Sequence, residues 1–237
     1  TTLTVTVQGA NDAPLAVVDD GGVAENATLA ASAATGVLSN DTDVDAGDSK
    51  TVSAVSFGAT AGTVGSGLAG TYGTLALNAD GSYSYAADRP AANALAVGQT
   101  ATDVFTYVMR DTAGATSTTT VTFTVTGTND APVAVADNNT TPEDTPVSGN
   151  VLPNDSDVDA GTTLAVTSFS VAGVPGSFAP GATAAIPGIG TLVINANGAY
   201  TFTPAANYNG PVPVATYTIG DGAGGTASAT LTLNVTP

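Results

Sequence analysis

The sequence predicts an all-β chain made of two tandem β-sandwich domains, and three observations predict it. Apolar residues alternate with polar ones at a period of two, as in Val121, Phe123, Val125 and again in Leu231, Leu233, Val235, the pattern of half-buried strands. No stretch carries a helical period. One unit of about 115 residues occurs twice, and such repetition decides architecture before any local reading. Val7-Gln8-Gly9-Ala10-Asn11-Asp12-Ala13-Pro14 returns 118 positions later as Val125-Thr126-Gly127-Thr128-Asn129-Asp130-Ala131-Pro132. Val37-Leu38-Ser39-Asn40-Asp41-Thr42-Asp43-Val44-Asp45-Ala46-Gly47 returns as Val151-Leu152-Pro153-Asn154-Asp155-Ser156-Asp157-Val158-Asp159-Ala160-Gly161.

Each copy reads as seven short strands. In the first they fall near 15–18 (A), 28–38 (B), 51–57 (C), 74–78 (D), 82–86 (E), 103–109 (F) and 116–126 (G). Asp80-Gly81 divides D from E, and Asn197-Gly198 divides their counterparts; such pairs supply the positive φ angles of a two-residue hairpin turn. Seven strands in about 115 residues, with this turn punctuation, have the size and texture of an immunoglobulin-like sandwich. The absence of Cys and Trp excludes only the antibody type. The repeats are placed at 10–127 and 128–237. Leu3, Val5 and Val7 match strand G rather than a domain start, so residues 1–9 read as the last strand of a preceding repeat in a longer array. Such a strand is expected to fray or to pair with an exposed edge.

Composition removes whole classes of function. Three Lys+Arg stand against twenty Asp+Glu, for a net charge of −17, so nucleic acid and anionic membrane are not expected partners. Without His or Cys there is no Ser-His or Cys-His nucleophile, no imidazole or thiolate zinc site and no disulfide. No apolar run approaches the ~18 residues of a membrane span, and direct membrane insertion is not expected.

The acidic residues are placed rather than scattered. The only two Glu residues, Glu25 and Glu143, each lie 13 positions after the Asp of the Asn-Asp-Ala-Pro phrase. Asp41, Asp43, Asp45 and Asp48 crowd one loop of the first copy, Asp155, Asp157 and Asp159 the same loop of the second, and Asp111 and Asp221 follow strand F. Crowded carboxylates repel at neutral pH unless a cation sits among them. An up-and-down strand count brings the B–C and F–G loops to the end where the preceding linker enters, and sends Glu25, in the A–B loop, to the opposite end. Clustered hard oxygen donors suit Ca²⁺, which takes 6 to 8 oxygens at ~2.3–2.6 Å, better than Mg²⁺. The candidate ligands are Asn11, Asp12, Glu25, Asn40, Asp41, Asp43, Asp45 and Asp111 in the first copy, with Asn129, Asp130, Glu143, Asn154, Asp155, Asp157, Asp159 and Asp221 in the second. The alternative is that these loops are solvated turns, since Asp and Asn hydrogen-bond their own backbone. The loops are not EF-hands: counted from Asp41, the twelfth position is Val52, where a Glu is required.

Together the Thr-Asn-Asp-Ala-Pro phrase, the Asn-Asp-x-Asp-x-Asp loop, the Gly73-Thr74-Leu75 to Gly81-x-Tyr83 hairpin and Phe105-Thr106-Tyr107 ahead of Asp111 resemble the VCBS or cadherin-like tandem repeats of large bacterial RTX adhesins. The resemblance covers essentially the whole chain. It implies immunoglobulin- or cadherin-like extender domains, type I secreted to the extracellular bacterial surface, with Ca²⁺ stiffening the joints between neighbouring repeats of the same chain. It implies that other domains bind the host or surface ligand. It also implies a joint that uses Glu25, then Asn129 and Asp130, then Asn154, Asp155, Asp157 and Asp159.

Two other functions compete with a spacer. A calcium-dependent module could hold a sugar or peptide in the copy-specific loops Gly58–Tyr72 and Val174–Ile189, which offer almost no aromatic ring for stacking. A hydrolase using a carboxylate pair is the weakest, because nothing marks one carboxylate as catalytic and both copies repeat the pattern. Tyr83, Tyr85, Tyr107, Tyr200 and Tyr217 read as core or edge packing.

Overall fold

The structure, a computed structural model, describes residues 2–237. The chain divides into two units, the first ending at Thr128 and the second spanning Asn129–Pro237. The first unit contains β1 (Asp19–Ala24), β2 (Thr28–Ala31), β3 (Thr51–Phe57), β4 (Thr60–Gly62), β5 (Gly67–Ala69), β6 (Thr74–Leu77), β7 (Tyr83–Ala86), the single turn α1 (Pro90–Asn93), β8 (Thr100–Arg110) and β9 (Thr116–Thr126). They form two sheets, β1-β9-β8-β3-β4 and β2-β7-β6-β5. β1 runs parallel to β9, with Asp19 opposite Val121 and Ala24 opposite Thr126, while β8 pairs antiparallel with both β3 and β9. First and last strands that run the same way place the turn after β8 and the loop before β3 at the end where the chain enters.

Period two along β8 and β9 sends Phe105, Tyr107, Met109, Val121, Phe123 and Val125 into the core, all fully buried. Tyr85 of the opposing sheet stacks on Phe123 at 4.2 Å between ring centroids. Burial of each such side chain contributes about 1.5–3 kcal/mol, so this seam holds the sandwich without disulfide or helix.

The second unit contains β10 (Asp137–Pro142), β11 (Val147–Asn150), β12 (Ala165–Val171), β13 (Thr183–Ile186), β14 (Gly190–Ile194), β15 (Ala199–Pro204), β16 (Gly210–Pro211), β17 (Ala215–Gly220) and β18 (Thr226–Thr236). Its sheets are β10-β18-β17-β12, with β16 also on β18, and β11-β15-β14-β13. β10 is again parallel to its last strand. A register shift falls at Val52/Ala54 in the first unit and at Val166/Ser168 in the second; such bulges bend a strand at a fixed place.

Several strand assignments shift. Strand A lies at Asp19–Ala24, and residues 15–18 contribute only the bridge from Leu15 to Thr42. Asp and Gly are poor strand formers, but Gly21 packs closely: a Cβ there would stand 2.6 Å from Leu29 Cδ2, which would have to shift, and 3.4 Å from Phe123. Strand B shortens to Thr28–Ala31, followed by turns. The copy-specific loops Gly58–Tyr72 and Val174–Ile189 hold strands of their own, β4 and β5 in the first unit and β13 in the second. Each D–E hairpin is longer than two residues: Asn78 N donates to Ser82 O and Gly81 N to Asn78 O, and only Gly81 has positive φ (83°). That is a type I turn closed by a left-handed glycine. Among residues 2–9 no strand forms, and Leu3, Val5 and Val7 are exposed; the first residue of that expected strand lies outside the described residues. Among the described residues no helix is long and apolar enough to cross a membrane.

Candidate metal centre

In the first unit, the entering segment, the loop before β3 and the turn after β8 are tied together by carboxylates. Asp45 N donates to Asp43 Oδ1 (2.9 Å), which coils the loop on itself. Asp45 Oδ2 in turn accepts from Asp12 N at 2.7 Å. Asn11 Nδ2 donates to Asp111 Oδ2 (2.8 Å), and Asp111 Oδ1 closes its own turn by accepting from Gly114 N and Ala115 N. The Asn11 amide, aided by those backbone groups, holds the Asp111 carboxyl below the usual carboxylate range.

This geometry leaves oxygens in one place. Asp43, Asp48 and Asp111 each offer a carboxylate oxygen, and all lie within 4.8 Å of one another. Asp43 Oδ2 is buried without a hydrogen-bond partner among the described residues. A buried carboxylate oxygen without a donor is costly, and a hard cation removes the cost. Asp48, one of the crowded acids but not one of the candidate ligands, has Thr162 at its place in the second copy; the folded loop brings it to Asp43 and Asp111.

The second unit repeats the arrangement from different residues. Asp159 N donates to Asp157 Oδ1 (2.8 Å), and Asp159 Oδ2 accepts from Asp130 N (3.0 Å). Asn129 Nδ2 donates to Asp221 Oδ2 (2.8 Å), while Asp221 Oδ1 accepts from Ala223, Gly224 and Gly225 N. The Asn129 amide comes first among the groups that hold the Asp221 carboxyl low. Asp157 Oδ2 and Asp159 Oδ1 are buried without a partner among the described residues.

Asn40, Asp41, Asn154 and Asp155 belong to the same loops but are used differently. Asn40 Nδ2 donates to Val18 O and Asn154 Nδ2 to Val135 O. Asp41 Oδ1 accepts from Val17 N and Asp155 Oδ1 from Val135 N, each at 2.7 Å. Tyr107 and Tyr217 send their hydroxyls to this point, the polar contact that a packing reading of these rings missed. Burial pushes the Asp41 carboxyl up, while the Val17 amide and the Lys50 ammonium hold it down. Burial pushes Asp19 up to about 6, opposed by the Tyr107 hydrogen bond, and raises Asp137 and Asp155.

Glu25 and Glu143 follow the first strand of each unit. Glu25 Oε1 accepts from both Thr128 N and Thr128 Oγ1 at 2.7 Å, and its Oε2 has no partner among the described residues. Glu143 Oε2 accepts from Asn209 Nδ2 at 3.4 Å. Asp103 is structural: it is 1% exposed and accepts from Thr71 N, Tyr72 N, Gly73 N and Tyr85 Oη.

Ca²⁺ fits this donor set. The unpartnered oxygens are carboxylates, amide side chains stand beside them, and the thiolate and imidazole ligands that select other metals are missing from the chain.

Each unit is a β-sandwich with its first and last strands parallel and a carboxylate-rich end. A family model described as the bacterial cadherin-like domain matches residues 11–127 and 129–237, and the chain belongs to that family. It is 33% identical over 175 residues, 71% of this chain and 74% of the relative, to the calcium-binding lectin RapA2 of Rhizobium johnstonii. Among solved structures, human CDH23 EC21-23 aligns with TM-score 0.54 at 13% identity, over 95% of this chain and 70% of that one. Human mucin-like protocadherin EC1-2 aligns with TM-score 0.51 at 17% identity, over 94% and 98%. The chain spans 40% of the protocadherin gamma B2 extracellular cadherin domains 1-5, at TM-score 0.49 and 16% identity over 95% of its own length. The family is an adhesion family, and no catalytic family is indicated.

Proposed function

We propose that this chain is a pair of calcium-binding extender repeats from a secreted bacterial surface adhesin. The observation that carries the reading is the recurrence, in both units, of buried carboxylate oxygens without partners on the Asp-x-Asp loop: Asp43 Oδ2, Asp157 Oδ2 and Asp159 Oδ1. Each divalent ion cancels two negative charges where they are densest, in a chain of net charge −17. The ligands are Asp43, Asp48 and Asp111, with Asn11, Asp12 and Asp45 beside them, and Asp157, Asp159 and Asp221 with Asn129 and Asp130. With calcium the linkers stiffen and neighbouring repeats project a distal domain that holds the host or surface ligand. The protein is extracellular, exported by a type I route with the RTX adhesins that its motifs resemble.

Small-angle scattering of the full chain in chelator and in millimolar Ca²⁺ tests this. The expected result is a larger radius of gyration with calcium, lost in Asp157→Ala/Asp159→Ala. An unchanged radius with intact folding sinks the extender role.

A second reading is favoured by the relative described as a calcium-binding lectin: one repeat itself holds a saccharide. Glycan-array binding that appears with calcium and vanishes with chelator separates it from a pure spacer.

A further inference from the structure

The two repeats differ at one position that no shared pattern explains. Val52 N donates to Ala79 O and Val166 N to Ala196 O, each at 2.9 Å, which fixes the register of the two loops against each other. Two residues before these valines the first repeat has Lys50 and the second has Leu164. Lys50 Nζ donates to Leu38 O at 3.1 Å and to Asp41 O, so the ammonium ties the end of the acidic loop back to its start. In the second repeat Leu164 packs against the apolar core. There Leu152 O takes the Asp155 amide (3.1 Å) instead, and among the described residues no side chain donates to Asp155 O. Asp155 Oδ2 is left buried and without a partner among those residues, whereas both Asp41 oxygens have donors.

We infer that Lys50 is a tethered cation that holds the acidic loop of the first repeat closed without a metal, and that the second repeat, with Leu164 there, relies on a soluble cation. The loops carry similar net charge: the first has one more carboxylate, Asp48, beside its one ammonium, where the second has Thr162 and Leu164. Three donors on a flexible stem suit the task, because Lys can reach two carbonyls at once while neutralising nearby carboxylates. The first loop is therefore ordered before any calcium is added, and the second orders only as the cation binds.

The test is hydrogen exchange read by mass spectrometry on the full chain in chelator at low ionic strength, comparing peptides over 37–50 and 151–164. In the wild type the first peptide exchanges more slowly than the second. Lys50→Met, which keeps the stem and removes the charge, speeds the first peptide about tenfold, the scale of a lost charged hydrogen bond, and leaves the second unchanged. Amides of Phe105 to Met109 report in the same spectra that the sandwich is intact. Should Lys50→Met unfold the repeat, Lys50→Gln is read the same way. Equal exchange of the two loops in the wild type, or wild-type protection in the charge-free variant, overturns the inference. Because every arm is run without metal, failure of the calcium reading above leaves this result unaffected.

Discussion

The hydroxyl of Tyr107 lies 2.9 Å from Asp19 Oδ2 and 3.0 Å from Val37 O, and the hydroxyl of Tyr217 repeats the relation to Asp137 Oδ2 (2.8 Å) and Val151 O (3.2 Å). One phenol thus ties strand F to strand A and to the residue that opens the acidic loop. A hydroxyl has one proton and several acceptors around it here, so the cluster is rich in negative charge and short of donors. Tyr107→Phe removes the donor and keeps the ring. It is expected to lower unfolding stability by about 2 kcal/mol, the cost of leaving buried acceptors unpaired, and Tyr217→Phe should act likewise. Urea unfolding at neutral pH measures both; midpoints equal to wild type would reduce the hydroxyls to bystanders.

Asp19 gives this cluster a pH dependence. Burial pushes its carboxyl up to about 6 in the fold, above the ordinary value near 3.9 of an unfolded chain. The folded state then binds the proton more tightly, so this contribution to stability is full below about 4 and is lost as pH rises through about 6. In chelator, wild-type stability should decline between these values and Asp19→Asn should flatten the decline. A slope that Asp19→Asn leaves untouched assigns the effect elsewhere.

Asp103 accepts four donors while 1% exposed. Asp103→Ala strands three backbone amides and the Tyr85 hydroxyl, and is expected to cost about 3 kcal/mol or more. Thermal melting in calcium and in chelator should show the same loss, since this carboxylate lies apart from the proposed ligands.

Gly225 is required by the Asp221 site. A Cβ there would lie 2.2 Å from Asp221 Oδ2 and 2.9 Å from Asn129 Nδ2. Gly225→Ala should therefore break the amide–carboxylate link and weaken calcium binding by the second unit. Isothermal titration of the variant with Ca²⁺ checks this; wild-type affinity would show that the Asn129–Asp221 contact is dispensable.

Much of this molecule is legible in its sequence because period-two alternation and a repeated unit are strong signals. The core stripes Phe105, Tyr107, Met109 and Val121, Phe123, Val125 follow directly from alternation. Strand A is not legible, because Asp19-Asp20-Gly21-Gly22 has turn composition and is extended only through its pairing with β9. At the site, residue types and spacing identify the acidic loops but not their division of labour. Asp43 and Asp157 leave Oδ2 free, while Asp41 and Asp155 each commit Oδ1 to a distant backbone amide, those of Val17 and Val135. That split depends on contacts from residues about twenty positions away, which spacing within the loop does not carry. Asp48 is legible as a crowded acid but not as a neighbour of Asp43 and Asp111, and Lys50 not at all, for a related reason: each is present in one copy only, so the repeat does not single it out.

The most direct measurement is a calcium titration of the full chain by calorimetry with parallel thermal melting, on wild type and on Asp157→Asn/Asp159→Asn. The account predicts binding in the ~10⁻⁴–10⁻³ M range typical of extracellular modules and a rise in melting temperature. Magnesium should give little of either, and the double variant should lose the second unit's share. Absence of heat and an unmoved melting temperature at millimolar calcium would contradict it, leaving the acidic loops as solvated turns.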